Sequence, residues 1–282
     1  MIRLALPSDG PRIDAFLREH ADSSMFLRSN LRAAGLVDRG EPLQGTWAIA
    51  LHGEQLLGVV ALAWNGMVLV QAPGPDLEAL VHTVVGARPE RAVAGLTGPL
   101  EQVERARAAL GLESDISAED LFVLELAELR LPGPLAEGSV RCRRTVEGDL
   151  ERCAAWRTEY LVETFRFTRT AALEARARDD VAQAHARRDA FVLERNGELV
   201  AYSTFNARLP ERVQIGGVFT PLDLRSQGLA RSVVAASLQI ARAEGVSDAV
   251  LFTGRDNAPA RRAYVSLGFR IAGAYGIALF PR

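Results

Sequence analysis

The stretch "VFTPLDLRSQGLARSV", Val218 to Val233, decides how the rest of the chain is read. An apolar, strand-like run ends at Thr220-Pro221, passes Arg225, Gly228 and Ala230, and enters a helix with no acid in its first turn. Helices ordinarily open on Asp, Glu, Ser or Thr, because carboxylates and hydroxyls suit the unpaired N–H groups and the positive dipole end. This helix instead offers bare N–H groups, a glycine without Cβ and arginines, an arrangement suited to an anion brought from outside. Leu229, Val233, Ala236 and Ile240 recur at helical spacing and form one stripe for packing on a sheet, and Gly245 supplies the stop. The turn Arg225 to Ala230 therefore heads the helix, where amides and dipole together can hold a diphosphate without a lysine. Taken alone, R-x-x-G-x-A is a weak signal that ordinary turns also satisfy.

Bulk composition narrows the setting. The 282 residues are enough for one large domain or two ordinary ones, and 48% apolar with 24% charged residues is the balance of a globular protein. A net charge of -2 gives no global attraction to nucleic acid or to an anionic membrane. All 33 basic residues are Arg, which is read as genomic base composition; avoidance of self-acylation is the alternative. Cys142 and Cys153 form no C-x-x-C pair, and His20, His52, His82 and His185 lack ligand spacing, so no metal is expected. The run "LLGVVALAW" is far short of a membrane span and "MIRLALPSDG" lacks signal-peptide shape. The expectation is a reduced, cytoplasmic, metal-free protein with no membrane or nucleic-acid partner.

The chain divides at the Pro/Gly-rich "LPGPLAEGS", Leu131 to Ser139, into two halves that look alike. Each opens with a short strand and a helix, "MIRLALPSDGPRIDAFL" and "SVRCRRTVEGDLERCAAW", followed by a second helical stretch. A meander of strands comes next: "TWAIALHG", "EQLLGVVALAW" and "MVLVQ" in the first half, "AFVLERNG", "ELVAYSTFNA" and "RVQIGGVFT" in the second. A helix, a strand and another helix then lead to similar endings, "ALGL" and "SLGF". An internal repeat of one mixed α/β fold is predicted.

A second element completes the reading. "NAPARRAYVSLGF" opens with Asn257, a favoured N-cap, and carries Pro259 in its first turn. Ala260, Tyr264 and Leu267 share one helix face, Gly268 ends the helix and Phe269 returns to a strand. Strand "IGGVFTP", loop "RSQGLA" and this helix, in this order, resemble the GNAT superfamily of acyl-CoA-dependent N-acyltransferases. The resemblance covers Val140 to the C-terminus and reaches the first half only as a fold echo; Ala230 stands where many members carry a second glycine.

The resemblance implies an α+β chain of two GNAT-like domains in tandem, each a mostly antiparallel sheet flanked by helices. Residues 1–133 would be a degenerate copy without the CoA loop, and residues 140–282 the catalytic domain. The segment Val218-Phe219-Thr220 would pair its main chain with the pantetheine arm, at Val218 and Thr220. Arg225 and Ser226 lead into the turn whose amides, from Gln227 through Gly228, Leu229 and Ala230 to Arg231, would take the pyrophosphate of acetyl-CoA. A strand N–H would hold the oxyanion, Tyr264 would protonate the leaving thiolate, and Asn257 would anchor the pantetheine or the helix start. The implied reaction is direct acetyl transfer to a primary amine of a small molecule or peptide. A non-catalytic acyl-CoA-binding or sensory protein is the alternative; a nucleotide binder is weaker, since there is no P-loop Lys and no G-x-G-x-x-G.

Attack requires a neutral amine, and an alkylamine of pKa about 10.4 is only about one-thousandth neutral at pH 7. Where members of the family often carry a strand Glu, this strand offers Gln214, with Glu211 beyond its start. Glu159 and Glu163 on "AAWRTEYLVETF" could serve instead or could be an ordinary polar face, and Glu163 is taken as the base. In the first half, Arg107 and Leu100 stand opposite Tyr264 and Asn257. "APGPDLEA", Ala72 to Ala79, replaces the loop with two prolines and two acids, so no CoA is expected there. The first copy is expected to pack on the second in place of a dimer partner, with monomer and homodimer both open. Arg166 to Asp189 reads as a charged surface helix or as an arginine-rich border favouring an acidic acceptor.

Overall fold

The computed structural model describes residues 1–280. The first half runs β1 (Ile2–Leu4), α1 (Gly10–Glu19), α2 (Met25–Ala34), β2 (Gly45–His52), β3 (Gln55–Ala63) and β4 (Met67–Gln71). It continues through α3 (Leu77–Gly86), β5 (Gly95–Pro99), α4 (Leu100–Ala109) and β6 (Ser117–Glu125). A one-turn helix, α5 (Gly133–Ala136), lies in the Pro/Gly-rich stretch. The second half repeats the series as β7 (Arg141–Arg144), α6 (Leu150–Phe165), α7 (Ala171–Ala186), β8 (Ala190–Arg195), β9 (Glu198–Arg208) and β10 (Arg212–Phe219). It ends with α8 (Leu229–Ala243), β11 (Asp248–Gly254), α9 (Ala258–Ser266) and β12 (Arg270–Leu279). Leaving α5 aside, the two series match element for element, as the internal repeat predicts.

The chain forms two compact units. One comprises Met1–Leu121, Phe252–Asp256 and the C-terminal stretch from Ile271; the other comprises Phe122–Leu251 and Asn257–Arg270. The Leu131 to Ser139 stretch lies inside the second unit. Strand order is β1-β2-β3-β4-β5-β12 in the first and β7-β8-β9-β10-β11-β6 in the second, so the two repeats have exchanged their last strands. β12 pairs antiparallel with β5, from Tyr275↔Pro99 to Leu279↔Gly95. The pairs β1–β2, β2–β3, β3–β4, β7–β8, β8–β9 and β9–β10 are also antiparallel, whereas β4 with β5 and β10 with β11 are parallel, joined through α3 and α8 respectively.

Alternation along the strands puts helices on both faces of each sheet. In the first unit, Val60 and Leu62 of β3 pack with Leu80, Val81 and Val84 of α3. Val59 and Ala61 point the other way, to Ile13 and Leu17 of α1 and Leu27 of α2. In the second unit, Phe191, Leu193, Phe205, Val213 and Ile215 lie under Leu229, Val233, Val234 and Leu238 of α8. The opposite face brings Val192 and Tyr202 against Cys153 of α6 and Val181 and Ala184 of α7. Each large aliphatic side chain buried this way contributes roughly 1.5–3 kcal/mol before chain entropy is set against it. These layers fix the ends of β10 and the heads of α8 and α9.

Candidate functional site

The ladder between β10 and β11 covers Arg212↔Asp248, Val213↔Ala249 and Gln214↔Val250 and stops there, although β10 runs on to Phe219. Beyond it the strand is irregular. Its register with β9 slips between Gln214 and Ile215 and again between Gly216 and Phe219, and Gly217 has φ 59°. Bulges of this kind bend a strand and end pairing. Main-chain groups of the last half of β10 are thereby released from the β11 ladder, and an amide-bearing chain can pair with such an edge. Val218 and Phe219 lie in this segment, with Phe219 and Thr220 buried.

After Pro221, one 3-10 turn (Leu222–Leu224) leads to Ser226 at φ 63° and Gly228 at φ 76°, both left-handed. Gly228 is the N-cap of α8; no side chain caps this helix and its first turn holds no acid. The first-turn amides of any helix lack intrahelical partners, so those following Gly228 point outward at the positive end of the dipole. A Cβ on Gly228 would lie 3.0 Å from Arg231 Nε, which shows the guanidinium folded over the turn. That Nε is buried without a partner. Gln227 accepts from Arg195 Nη1 at 2.6 Å, while Leu229 sinks into the core. Ala230 is half-buried behind it.

Arg225 braces the turn. Its Nε donates to Thr220 O at 3.0 Å, its Nη2 donates to Glu163 Oε2 at 2.6 Å, and its guanidinium lies 5.8 Å above the Phe219 ring. The loop and helix α6, read separately from the sequence, are thus brought together through Arg225 and Glu163. The Thr220 carbonyl, expected to face pantetheine, accepts this arginine, and the Thr220 hydroxyl is buried without a partner. Asn257 is the N-cap of α9, its Oδ1 accepting from Ala260 N at 3.2 Å. Tyr264 is half-buried, with ring centroids 6.0 Å from Phe122 and 5.9 Å from Phe269.

Residues to which sequence reading gave no role gather where β10 bulges. A Cβ on Gly216 would fall 1.8 Å from Asn206 Nδ2, so any other residue there would have to displace that amide. A Cβ on Gly217 would meet Thr204 Oγ1 at 3.0 Å and Arg157 Nη1 at 3.5 Å. Arg157, on α6, gives Nε and Nη2 to Asp180 Oδ2 at 3.0 and 2.8 Å and stacks 5.3 Å from the Tyr160 ring centroid. Trp156 lies 6.1 Å from Phe219. Gln214 is only 1% exposed; its Nε2 donates to Ile215 O at 2.7 Å and its Oε1 has no partner. The available signal was the pair of glycines inside an apolar strand, which weakens a strand unless something approaches closely.

The thiols of Cys142 and Cys153 are pushed up to about 12 by burial, which leaves neither as a thiolate nucleophile near neutral pH. Among the described residues no group of three or more His, Cys, Asp or Glu is placed to hold a metal.

A strand that leaves its parallel neighbour presents free main-chain groups, and the uncapped, glycine-headed helix beside it presents bare amides at the positive end of its dipole. Residues 151–269 match the model of the Acetyltransferase (GNAT) family. The sequence finds no match among curated proteins. Solved structures share the fold over nearly the whole chain. A Drosophila protein solved by structural genomics superposes with TM-score 0.67 at 16% identity, covering 99% of this chain and 98% of its own. A GCN5-related N-acetyltransferase from Sphaerobacter thermophilus gives 0.61 at 16%, covering 99% and 94%. A tandem GNAT protein from the clavulanic acid biosynthesis pathway gives 0.58 at 15%, covering 100% and 99%. The first half thus has a GNAT-like fold as well.

Proposed function

We propose that the second unit transfers an acetyl group from acetyl-CoA to a primary amine of a small molecule or peptide. The observation that carries this reading is the bare head of α8, with left-handed Ser226 and Gly228, beside the half of β10 that has left its ladder. Amides from Gln227 to Arg231 hold the diphosphate, and Arg231 adds charge over it. Main-chain groups of Val218 and Phe219 pair with pantetheine, and an N–H of this segment receives the oxyanion. The amine nitrogen attacks the thioester carbon, the C–S bond breaks and the sulfur takes its proton from Tyr264. Asn257 holds the start of the helix that carries Tyr264.

Glu163 is the proposed acceptor of the amine proton. Its carboxylate is paired with Arg225, and a diphosphate that competes for Arg225 releases it, which would link coenzyme binding to base function. The first unit, in this reading, binds no coenzyme. The protein is set in the cytoplasm, where acetyl-CoA and reduced thiols are found; among the described residues no helix is long and apolar enough to cross a membrane.

A non-catalytic acyl-CoA binder is the second reading, favoured by one observation: the α6 carboxylates Glu159 and Glu163 each already have an arginine partner, Arg169 and Arg225. Tyr264→Phe separates the two. For the enzyme, removal of a general acid lowers kcat by about 10²-fold or more while coenzyme A still binds with unchanged heat. Coenzyme binding by the unaltered chain with no thiol release across a broad amine panel would instead establish the binder.

A further inference from the structure

This inference rests on the function just proposed and names the acceptor class. Val213 and Ile215 of β10 point into the α8-side core, so Gln214 faces the other way, toward α6. The bulge turns Gly216 and Gly217 to that side too, since both meet Thr204, Asn206 or Arg157 there. Nitrogen donors stand over both glycines: Asn206 Nδ2 over Gly216 and Arg157 Nη1 over Gly217. Thr204 Oγ1 lies 3.1 Å from Asn206 Oδ1 and 3.0 Å from Gly216 O, and Nδ2 is the atom of the Asn206 amide nearest the Cβ position of Gly216. Arg157 directs Nε and Nη2 to Asp180, so Nη1 is the nitrogen that makes neither of these bonds.

Farther back on the same face the chemistry reverses. Gln214 Oε1 is an acceptor, buried and unpaired, and an N–H that reached it would relieve the cost of its desolvation. A guanidinium nitrogen over one glycine and a carboxamide nitrogen over the preceding one offer donors for the two oxygens of a carboxylate. An amine supplies the N–H that Gln214 lacks. A simple alkylammonium, by contrast, meets Arg157 as a like charge.

We propose that the acceptor is a carboxylate-bearing amine of amino-acid type, its carboxylate held by Arg157 and Asn206 and its nitrogen steered by Gln214. Arg157 is then the specificity-determining residue.

The test uses the full chain, acetyl-CoA and a free-thiol readout with matched acceptors: each amino acid against its carboxamide and its decarboxylated amine. The carboxylate member is expected to be favoured at least about tenfold in kcat/KM, the scale of one charge-assisted contact. Arg157→Gln should erase that preference by raising KM for the carboxylate member, with kcat and the carboxamide's KM held within about twofold. Asp180→Asn frees the guanidinium and should lower the same KM, whereas a purely structural brace would be weakened by either substitution alike. Asn206 is exposed, so Asn206→Ala tests the subsite even where Arg157→Gln does not fold, and should reduce the preference by about threefold or more. Equal rates on all three members, or variants that move them together, overturn the proposal and leave acetyl transfer standing. Coenzyme heat with no thiol release from any member overturns both.

Discussion

The turns that follow β4 and β10 occupy the same place in the two repeats and carry opposite polarity. After β10 the chain offers donors: uncapped amides behind Gly228, with Arg231 laid over them. After β4, Ala72 N–H already donates to the buried Gln102 Oε1 at 2.7 Å, and Pro73 and Pro75 have no N–H to give. There the turn presents acceptors, and α4 satisfies them: Arg105 Nη1 donates to Gly74 O at 3.1 Å and its Nε to Glu78 Oε1 at 3.2 Å. A phosphate at this turn would have to displace both side chains and then face Glu78 in the first turn of α3. The order of elements recurs in both repeats, and what fills the turn differs.

The comparison is broken most severely by cutting the repeats apart at their apparent linker. A fragment of residues 140–282 lacks β6, the neighbour of β11, and leaves β12 without β5. It is expected to show no cooperative thermal transition in calorimetry, where the full chain shows one; a fragment that melts cooperatively and binds coenzyme A like the full chain would make the strand exchange dispensable. Next in size is Gly228→Asp. A Cβ in the left-handed region costs about 1–2 kcal/mol, it would crowd Arg231, and a carboxylate would stand where the diphosphate is expected. Coenzyme affinity measured by titration calorimetry should fall at least about a hundredfold, while Pro75→Asp in the first unit leaves it unchanged.

A smaller effect in the first unit is read by pH. In the first unit, burial works to raise the Asp38 pKa, but hydrogen bonds from Arg91, Thr46 and the Gly40 N–H bring it down to about 2. A carboxyl lowered on folding contributes stability above its unfolded pKa of about 3.9, and that contribution is lost as pH falls through 4 toward 2. Asp38→Asn should therefore lower unfolding free energy by on the order of 1–2 kcal/mol at pH 7, with the gap narrowing below about pH 4. Urea midpoints across that range check it; a gap constant from pH 7 to pH 3 would contradict the assignment.

The halves of this molecule were legible because strand runs and their Gly-containing turns recur in the same order, and local pattern alone reports both. The α8 head was legible for a similar reason, since a helix start without an acid is visible in the primary structure. The exchanged strands were not. "SAEDLFVLE" and "RIAGAYGIAL" each follow a helix and each suit a sheet, and no local feature says which repeat supplies the partner. Arg225 and Glu163 were singled out separately, but their pairing depends on how α6 lies over the loop, across 62 positions of sequence. Arg157 and Asn206 escaped notice because their meaning comes from standing over two glycines of another strand. Gln102 and Arg105, which fill the first repeat's turn, look like ordinary polar positions of α4 until their partners are known.

The finest test of the comparison asks whether emptying that turn restores its ligand. Arg105→Gln removes the cation that satisfies Gly74 O and Glu78 but leaves two prolines, Glu78 and the Ala72–Gln102 bond in place. The Arg105 pair is partly exposed, with side-chain exposures of 30% and 49%, so its loss should cost no more than about 1 kcal/mol. Coenzyme stoichiometry should remain one per chain, because freeing carbonyls creates no donors for an anion. A second binding heat in the Arg105→Gln variant would show that a cation plug, and not the reversed polarity of the backbone, keeps the first repeat silent.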